Sequence, residues 1–279
     1  MIVLWSANFL FVKIMVVRMP VLMVSCMRTS LAGLVMLPVF IWDRKRGAKP
    51  VTLDELPRLI TLGIAGMGMN QLLFTLGVSR TSVAHASVLM GLTPLLVLLF
   101  VAFKGHEKFS VIRVAGVLLA LGGVCVLQLS SSRSVGASYL GDLLVFGAGI
   151  AWALYTVMSK QLTKTRDAIS VTALAYMIAA VGMLPVTLWQ SYVHGLGLIT
   201  PSLWAVLLYM AILPSVVGAL IYYYALIYLP ASRVTAFLYL QPLLATLMAI
   251  PVLGEHITLA LVGGGAMVVT GVSITERGA

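Results

Sequence analysis

The 279-residue chain is 61% hydrophobic and 9% charged, against roughly 25% charged residues in a soluble domain. Such a chain predicts a polytopic, all-α membrane protein. Its net charge of +10 lies mostly in loops, which excludes reading it as a nucleic-acid footprint. Cys26 and Cys125 both fall in apolar stretches and offer no loop pair for a disulfide framework.

In chain order, the apolar segments predict ten transmembrane helices at roughly 2–17, 21–42, 57–78, 81–103, 110–129, 138–159, 168–189, 202–226, 232–252 and 257–275. Each is near the ~20 residues needed to cross hydrocarbon. Pro, Gly or charge separates them, as at Pro20, Asp43 to Pro57, Lys104 to Lys108, Lys160 to Asp167 and Pro230. Residues 1–17 are not read as a signal peptide, because Lys13 interrupts the stretch and no basic segment precedes it. If Lys13 marks a membrane edge, the first span is short. Either the chain begins inside a longer helix, or Lys13 sits deeper and snorkels outward.

The two halves match each other. At an offset of 147 residues, Trp5 and Lys13 fall on Trp152 and Lys160, Met36-Leu37-Pro38 falls on Met183-Leu184-Pro185, and Trp42 falls on Trp189. At an offset of 148, Pro94, Leu95 and Leu96 meet Pro242, Leu243 and Leu244. Glu107 then meets Glu255, Gly116 meets Gly264, and Gly123 meets Gly271. Five spans per half is an odd number, so the second copy enters the membrane upside down. The expected architecture is two inverted five-helix repeats, residues 1–129 and 138–275, with a binding site near the midplane between them. Thirteen of the 18 Lys and Arg residues lie at one set of span ends, including Arg44, Lys45, Arg46, Lys49, Lys160, Arg166 and Arg277. The positive-inside rule then predicts both termini in the cytoplasm.

These residues resemble the EamA family of the drug/metabolite transporter superfamily. Its halves open with a W-x-x-x-x-x-x-x-K pattern, as at Trp5–Lys13 and Trp152–Lys160, and later carry a segment like Thr93-Pro94-Leu95-Leu96 or Gln241-Pro242-Leu243-Leu244 followed by Gly254-Glu255. Gly105-His106-Glu107 departs from the pattern, since Gly and Glu are not adjacent. The resemblance implies ten helices around a cavity lined by spans one, three, four, six, eight and nine. It also implies a small-solute carrier of a kind that mostly exports amino acids and other metabolites.

Candidate binding residues follow from position. Trp5 and Trp152 lie eight residues before their lysines, about 12 Å along a helix. That places both indoles near the midplane, either stacking on a solute or packing helix against helix. Asn8, Asn70, Gln71 and Gln241 interrupt apolar runs, as do Tyr155, Tyr222, Tyr223, Tyr224 and Tyr239. An unpartnered amide is costly in lipid, so these side chains should face the bundle or a wet cavity. Three successive tyrosines cannot all face one cavity, because each helical step turns about 100°. The expected substrate-binding set is Trp5, Asn8, Asn70, Gln71, His85, Trp152, Tyr155, Tyr223, Tyr239 and Gln241. His85 either carries a proton or hydrogen-bonds in an outer vestibule. Arg28, matched by Ala175, either snorkels or binds a substrate carboxylate, and the structural role is the favoured one. Pro94 and Pro242 would kink spans four and nine. Gly116-x-x-x-Ala120 and Ala260-x-x-x-Gly264 read as helix packing within the molecule, with a dimer contact as the alternative.

Every Asp and Glu falls in a loop or near a span end, so no central carboxylate is available for proton antiport. No nucleotide-binding G-x-x-x-x-G-K-[ST] loop occurs, and no nucleophile with its base clusters as an enzyme requires. The expectation is a monomeric inner-membrane transporter of a small metabolite, without metal, cofactor or nucleic-acid partner. A channel, a lipid or drug efflux carrier and a membrane enzyme are the alternatives.

Overall fold

The computed structural model describes residues 1–81, 86, 89–103, 110–130, 138–163, 165–241, 243–244 and 259–277. No β-strand occurs among them. This follows from the solvent: inside lipid a helix pairs all its backbone groups within one segment. The elements are α1 (Ile2–Arg18), α2 (Val21–Lys45), α3 (Leu53–Arg80), α4 (Thr93–Phe103), α5 (Val111–Ser130), α6 (Tyr139–Leu162), α7 (Ala168–His194), α8 (Pro201–Tyr228), α9 (Ala231–Ala236) and α10 (Leu259–Arg277). Helices α2, α3, α6, α7 and α8 are long and apolar enough to cross a membrane, and α4 and parts of α5 and α10 form shorter apolar helices.

Local signals set the starts. Thr52 and Glu55 form a reciprocal capping box at the head of α3. The Ser138 side chain accepts from Gly141 N at the start of α6, and that of Thr200 accepts from Leu203 N before Pro201 in α8. Helices α3 and α8 each widen into a π-helical segment, Leu62–Gly68 and Ala211–Val217.

Equivalent helices of the two halves pack on each other: α2 lies along α7 and α5 along α10, while α3 packs on α6. Small residues permit this. A Cβ on Gly33 would stand 2.3 Å from the Cβ of Ala180, its repeat mate on α7. A Cβ on Gly116 would stand 2.7 Å from Gly271 O, and one on Gly123 would stand 2.6 Å from Gly264 O. Gly116 aligns with Gly264 and Gly123 with Gly271 in the sequence, so each contact joins a glycine to the match of the other. The Gly116-to-Ala120 stripe therefore packs inside the molecule, where Ala120 N would meet a Cβ on Gly271 at 2.4 Å.

Spans four and nine differ from the continuous helices expected. The chain turns at Gly91-Leu92 before α4 begins, so Pro94 is the second residue of a helix and not an interior one. A first-turn position needs no N–H, so the proline seats there without losing a bond. In the second half, α9 ends at Ala236 and passes into a 3-10 turn, Phe237–Tyr239. Pro242 lies outside the described residues.

Candidate substrate cavity

A cavity of about 80 Å³ opens between the halves, several times the ~10–15 Å³ that one water needs. From the first half it is lined by Trp5, Asn8 and Phe9 of α1, Arg28 of α2, Asn70, Gln71 and Phe74 of α3, and Met90 and Gly91 at the break before α4. The second half adds Trp152 of α6, Tyr176 of α7, Pro214 of α8, and Leu238 and Gln241 after α9.

The tryptophans meet in the middle. Trp5 and Trp152 stand edge to face with ring centroids 5.4 Å apart and an interplanar angle of 88°, a favourable quadrupole arrangement. Trp5 Nε1 donates to Pro214 O at 2.7 Å, a carbonyl of the π segment in α8. Gly218, one turn on, leaves room for that indole, since a Cβ there would stand 2.7 Å from Trp5 Nε1. Tyr222 packs on both rings, at 5.5 Å from Trp5 and 5.4 Å from Trp152, and its hydroxyl shares a 3.0 Å hydrogen bond with Thr156.

The amides occupy the other walls. Asn70 Nδ2 donates to Ala148 O at 2.9 Å. Asn8 is buried, and its Oδ1 has no hydrogen-bond partner. Gln241 brings its side chain to the cavity while its backbone carbonyl accepts from Ser6 Oγ at 3.1 Å.

Six of the sequence-derived residues thus converge on one cavity: Trp5, Asn8, Asn70, Gln71, Trp152 and Gln241. Tyr155, Tyr223 and Tyr239 stand outside its lining, in the packed core. Tyr155 and Tyr223 form the layer behind Trp152 and Tyr222, with Tyr155 5.6 Å from Trp152 and 5.0 Å from Tyr223. His85 lies outside the described residues. Arg28 and Tyr176 are the lining residues of most chemical consequence that the candidate set omitted. A charge in the middle of an apolar helix marks Arg28, but nothing local separates a cavity residue from a snorkelling one.

The lysines of the repeat serve structure. Lys13 Nζ donates to Val78 O and Thr81 O, both at 3.0 Å. Lys160 Nζ donates to Leu226 O and to Leu229 O. Each ammonium satisfies the open carbonyls at the C-terminal end of α3 or α8. At the Lys160 end, Arg166 forms a two-pronged ion pair with Glu55 and donates to the carbonyls of Lys49 and Pro50. Helix α3 begins at that end and α8 finishes there. Among the described residues, no three His, Cys, Asp or Glu side chains converge as a metal site would need.

The profile of the EamA-like transporter family matches the chain twice, over residues 1–129 and 139–276. The chain belongs to the EamA-like transporter family. Its relatives in that family carry transporter names. An uncharacterized transporter of Archaeoglobus fulgidus is 27% identical over 98% of this chain and 93% of its own length. An uncharacterized transporter of Bacillus subtilis is 29% identical over 88% of this chain and 81% of its own. A probable terminal-alkyne amino-acid exporter of Streptantibioticus cattleyicolor is 29% identical over 80% of this chain and 74% of its own. One crystal structure superposes with a TM-score of 0.74 at 19% identity, covering 99% of this chain and 95% of that one, which speaks for the fold alone. This EamA-like protein is therefore a multi-pass membrane transporter.

Proposed function

We propose that this EamA-like protein exports a small amphipathic metabolite of the amino-acid type by alternating access between two inverted five-helix halves. The carrying observation is the cavity itself: Trp5 of one half and Trp152 of the other meet edge to face across it. Aromatic walls with a few convergent polar groups suit a small solute with one apolar and one polar end. The double family match supports the repeat, as do the reciprocal glycine contacts and the opposed directions of α3 and α8. The paired π segments and the breaks in spans four and nine support a rocking of the two halves around a fixed site. Export and the amino-acid class draw support from the Streptantibioticus relative's name. The inner membrane, cytoplasmic termini and a monomeric state complete the reading.

Counterflow of a solute library in proteoliposomes tests it. Wild-type vesicles should exchange at least one labelled amino acid or similar solute. Trp152→Ala should cut that exchange about tenfold or more while the protein still elutes as a folded species, because a ring contact and its buried area are both lost. Normal rate and affinity in folded Trp5→Ala and Trp152→Ala variants would remove the tryptophans from the site.

A further inference from the structure

Arg28 lies in the wall of the cavity on α2 and is 4% exposed. Its Nε donates to Ser215 Oγ at 3.1 Å. Ser215 Oγ, in the π segment of α8, in turn donates to Met210 O at 2.8 Å, just before that segment. The guanidinium of a first-half helix is thereby held in orientation by a second-half helix. Its Nη1 is buried without any partner.

This arrangement is costly as it stands. A guanidinium keeps its charge and presents five donors in a planar fork. Burying a cation without a counter-charge is among the most expensive things a fold can do, and inside a membrane such residues mark substrate paths. The described lining contains no Asp or Glu; its other polar members, Asn8, Asn70, Gln71, Tyr176 and Gln241, are neutral. The repeat offers no balancing charge either, since Ala175 occupies the matching position on α7 and is fully buried. An anionic group on a bound solute would supply the negative charge that the described lining lacks.

We propose that Arg28 is a substrate-binding cation and that the transported solute presents a carboxylate to Nη1 of its guanidinium. This rests on the small-solute transporter reading above. A planar carboxylate matches the guanidinium fork, and its single negative charge balances the single positive one. A phosphate dianion would leave surplus charge in a low-dielectric site. Because Ser215 and Met210 fix the guanidinium from α8, the carboxylate docks where the two halves are already joined.

The test compares matched solutes in proteoliposomes: phenylalanine, phenylalanine amide and phenethylamine, with benzoate and benzamide as competitors. Wild-type protein should favour each acid over its amide by ~10–100-fold, the range of a hydrogen bond to a charged group. In Arg28→Gln the preference for acid over amide should disappear, and Arg28→Lys should keep part of it. Equal handling of acid and amide by wild type overturns the proposal, as does an acid preference that survives in Arg28→Gln. If Arg28→Gln fails to fold, Arg28→Lys carries the test: a reduced acid preference supports the proposal and an undiminished one overturns it. Wild-type vesicles that carry neutral or cationic members and no acid also refute it, whereas vesicles that exchange none of these solutes and no member of the wider library refute the amino-acid-type reading instead.

Discussion

The Lys160 ammonium donates to the carbonyls of Leu226 and Leu229, and the Lys13 ammonium to those of Val78 and Thr81. Each holds the end of a span whose last carbonyls have no intrahelical partner. Replacing Lys160 with Gln removes the charge but keeps a donor. The expected cost is ~1–3 kcal/mol, read as a lower melting temperature of the purified protein, and Lys13→Gln should behave alike. A variant that melts with wild type would show that the carbonyls are equally well served without the charge. The three successive tyrosines also divide at this scale. Tyr222 and Tyr223 turn into the core at 0% and 1% exposure, while Tyr224 is 62% exposed, as a 100° step demands. A local pattern could say that not all three share a cavity, but not which ring Trp152 would cover.

Helix α5 meets α10 through glycine, and the contact leaves no room for a side chain: a Cβ on Gly271 would stand 2.4 Å from Ala120 N and 2.5 Å from Gly116 O. Backbone atoms cannot yield as a flexible side chain can. Gly271→Val should therefore destabilise the protein by about 2 kcal/mol or more, at the upper side of ordinary overpacking. Gly263 lies on the same helix with nothing within 4 Å of its would-be Cβ, so Gly263→Val is the neutral control. Thermal unfolding of the two variants in one detergent separates packing from propensity, and equal melting temperatures would remove the close contact from the account. Pro94 belongs to this scale as well. Its residue type announced a break, but whether it kinks a helix or starts one depends on the turn at Gly91-Leu92, which the cavity wall accommodates.

For the whole molecule the basic residues set the expected orientation. The loops bearing Lys49 and Arg166 lie at one end, since Arg166 donates to the Lys49 carbonyl, and the positive-inside rule assigns that end to the cytoplasm. A cysteine label tests this. Gly47 is a poor position for it, with φ 97°, because a side chain there is strained; exposed Lys49 is better. Lys49→Cys, with Cys26 and Cys125 changed to Ala, should resist an impermeant maleimide in intact cells, and rapid external labelling would reverse the topology. Energy coupling is the second whole-molecule prediction. The described cavity lining has no carboxylate, so transport should follow the solute gradient, with two states separated by a small gap. A pH gradient alone should not drive uphill accumulation in proteoliposomes. Accumulation abolished by His85→Gln would make that histidine the coupling site.

Residue order alone makes plain that this chain is helical, that it lives in a bilayer, that its halves correspond, and that Trp5 and Trp152 occupy matched places. Composition, span length and internal repetition are local or additive properties, legible without coordinates. Asn8, Asn70, Gln71 and Gln241 were legible for a related reason: polar groups in lipid must find partners or a wet cavity. Tertiary structure decided the rest. Tyr155, Tyr223 and Tyr239 raise the same expectation, yet they pack behind the wall instead of forming it. Arg28 was visible as a charge, but only the approach of Ser215 from 187 residues away aims it into the cavity. Which face of a helix meets which neighbour depends on how two halves close on each other, and that is set by contacts such as Gly116 with Gly271, not by any local period.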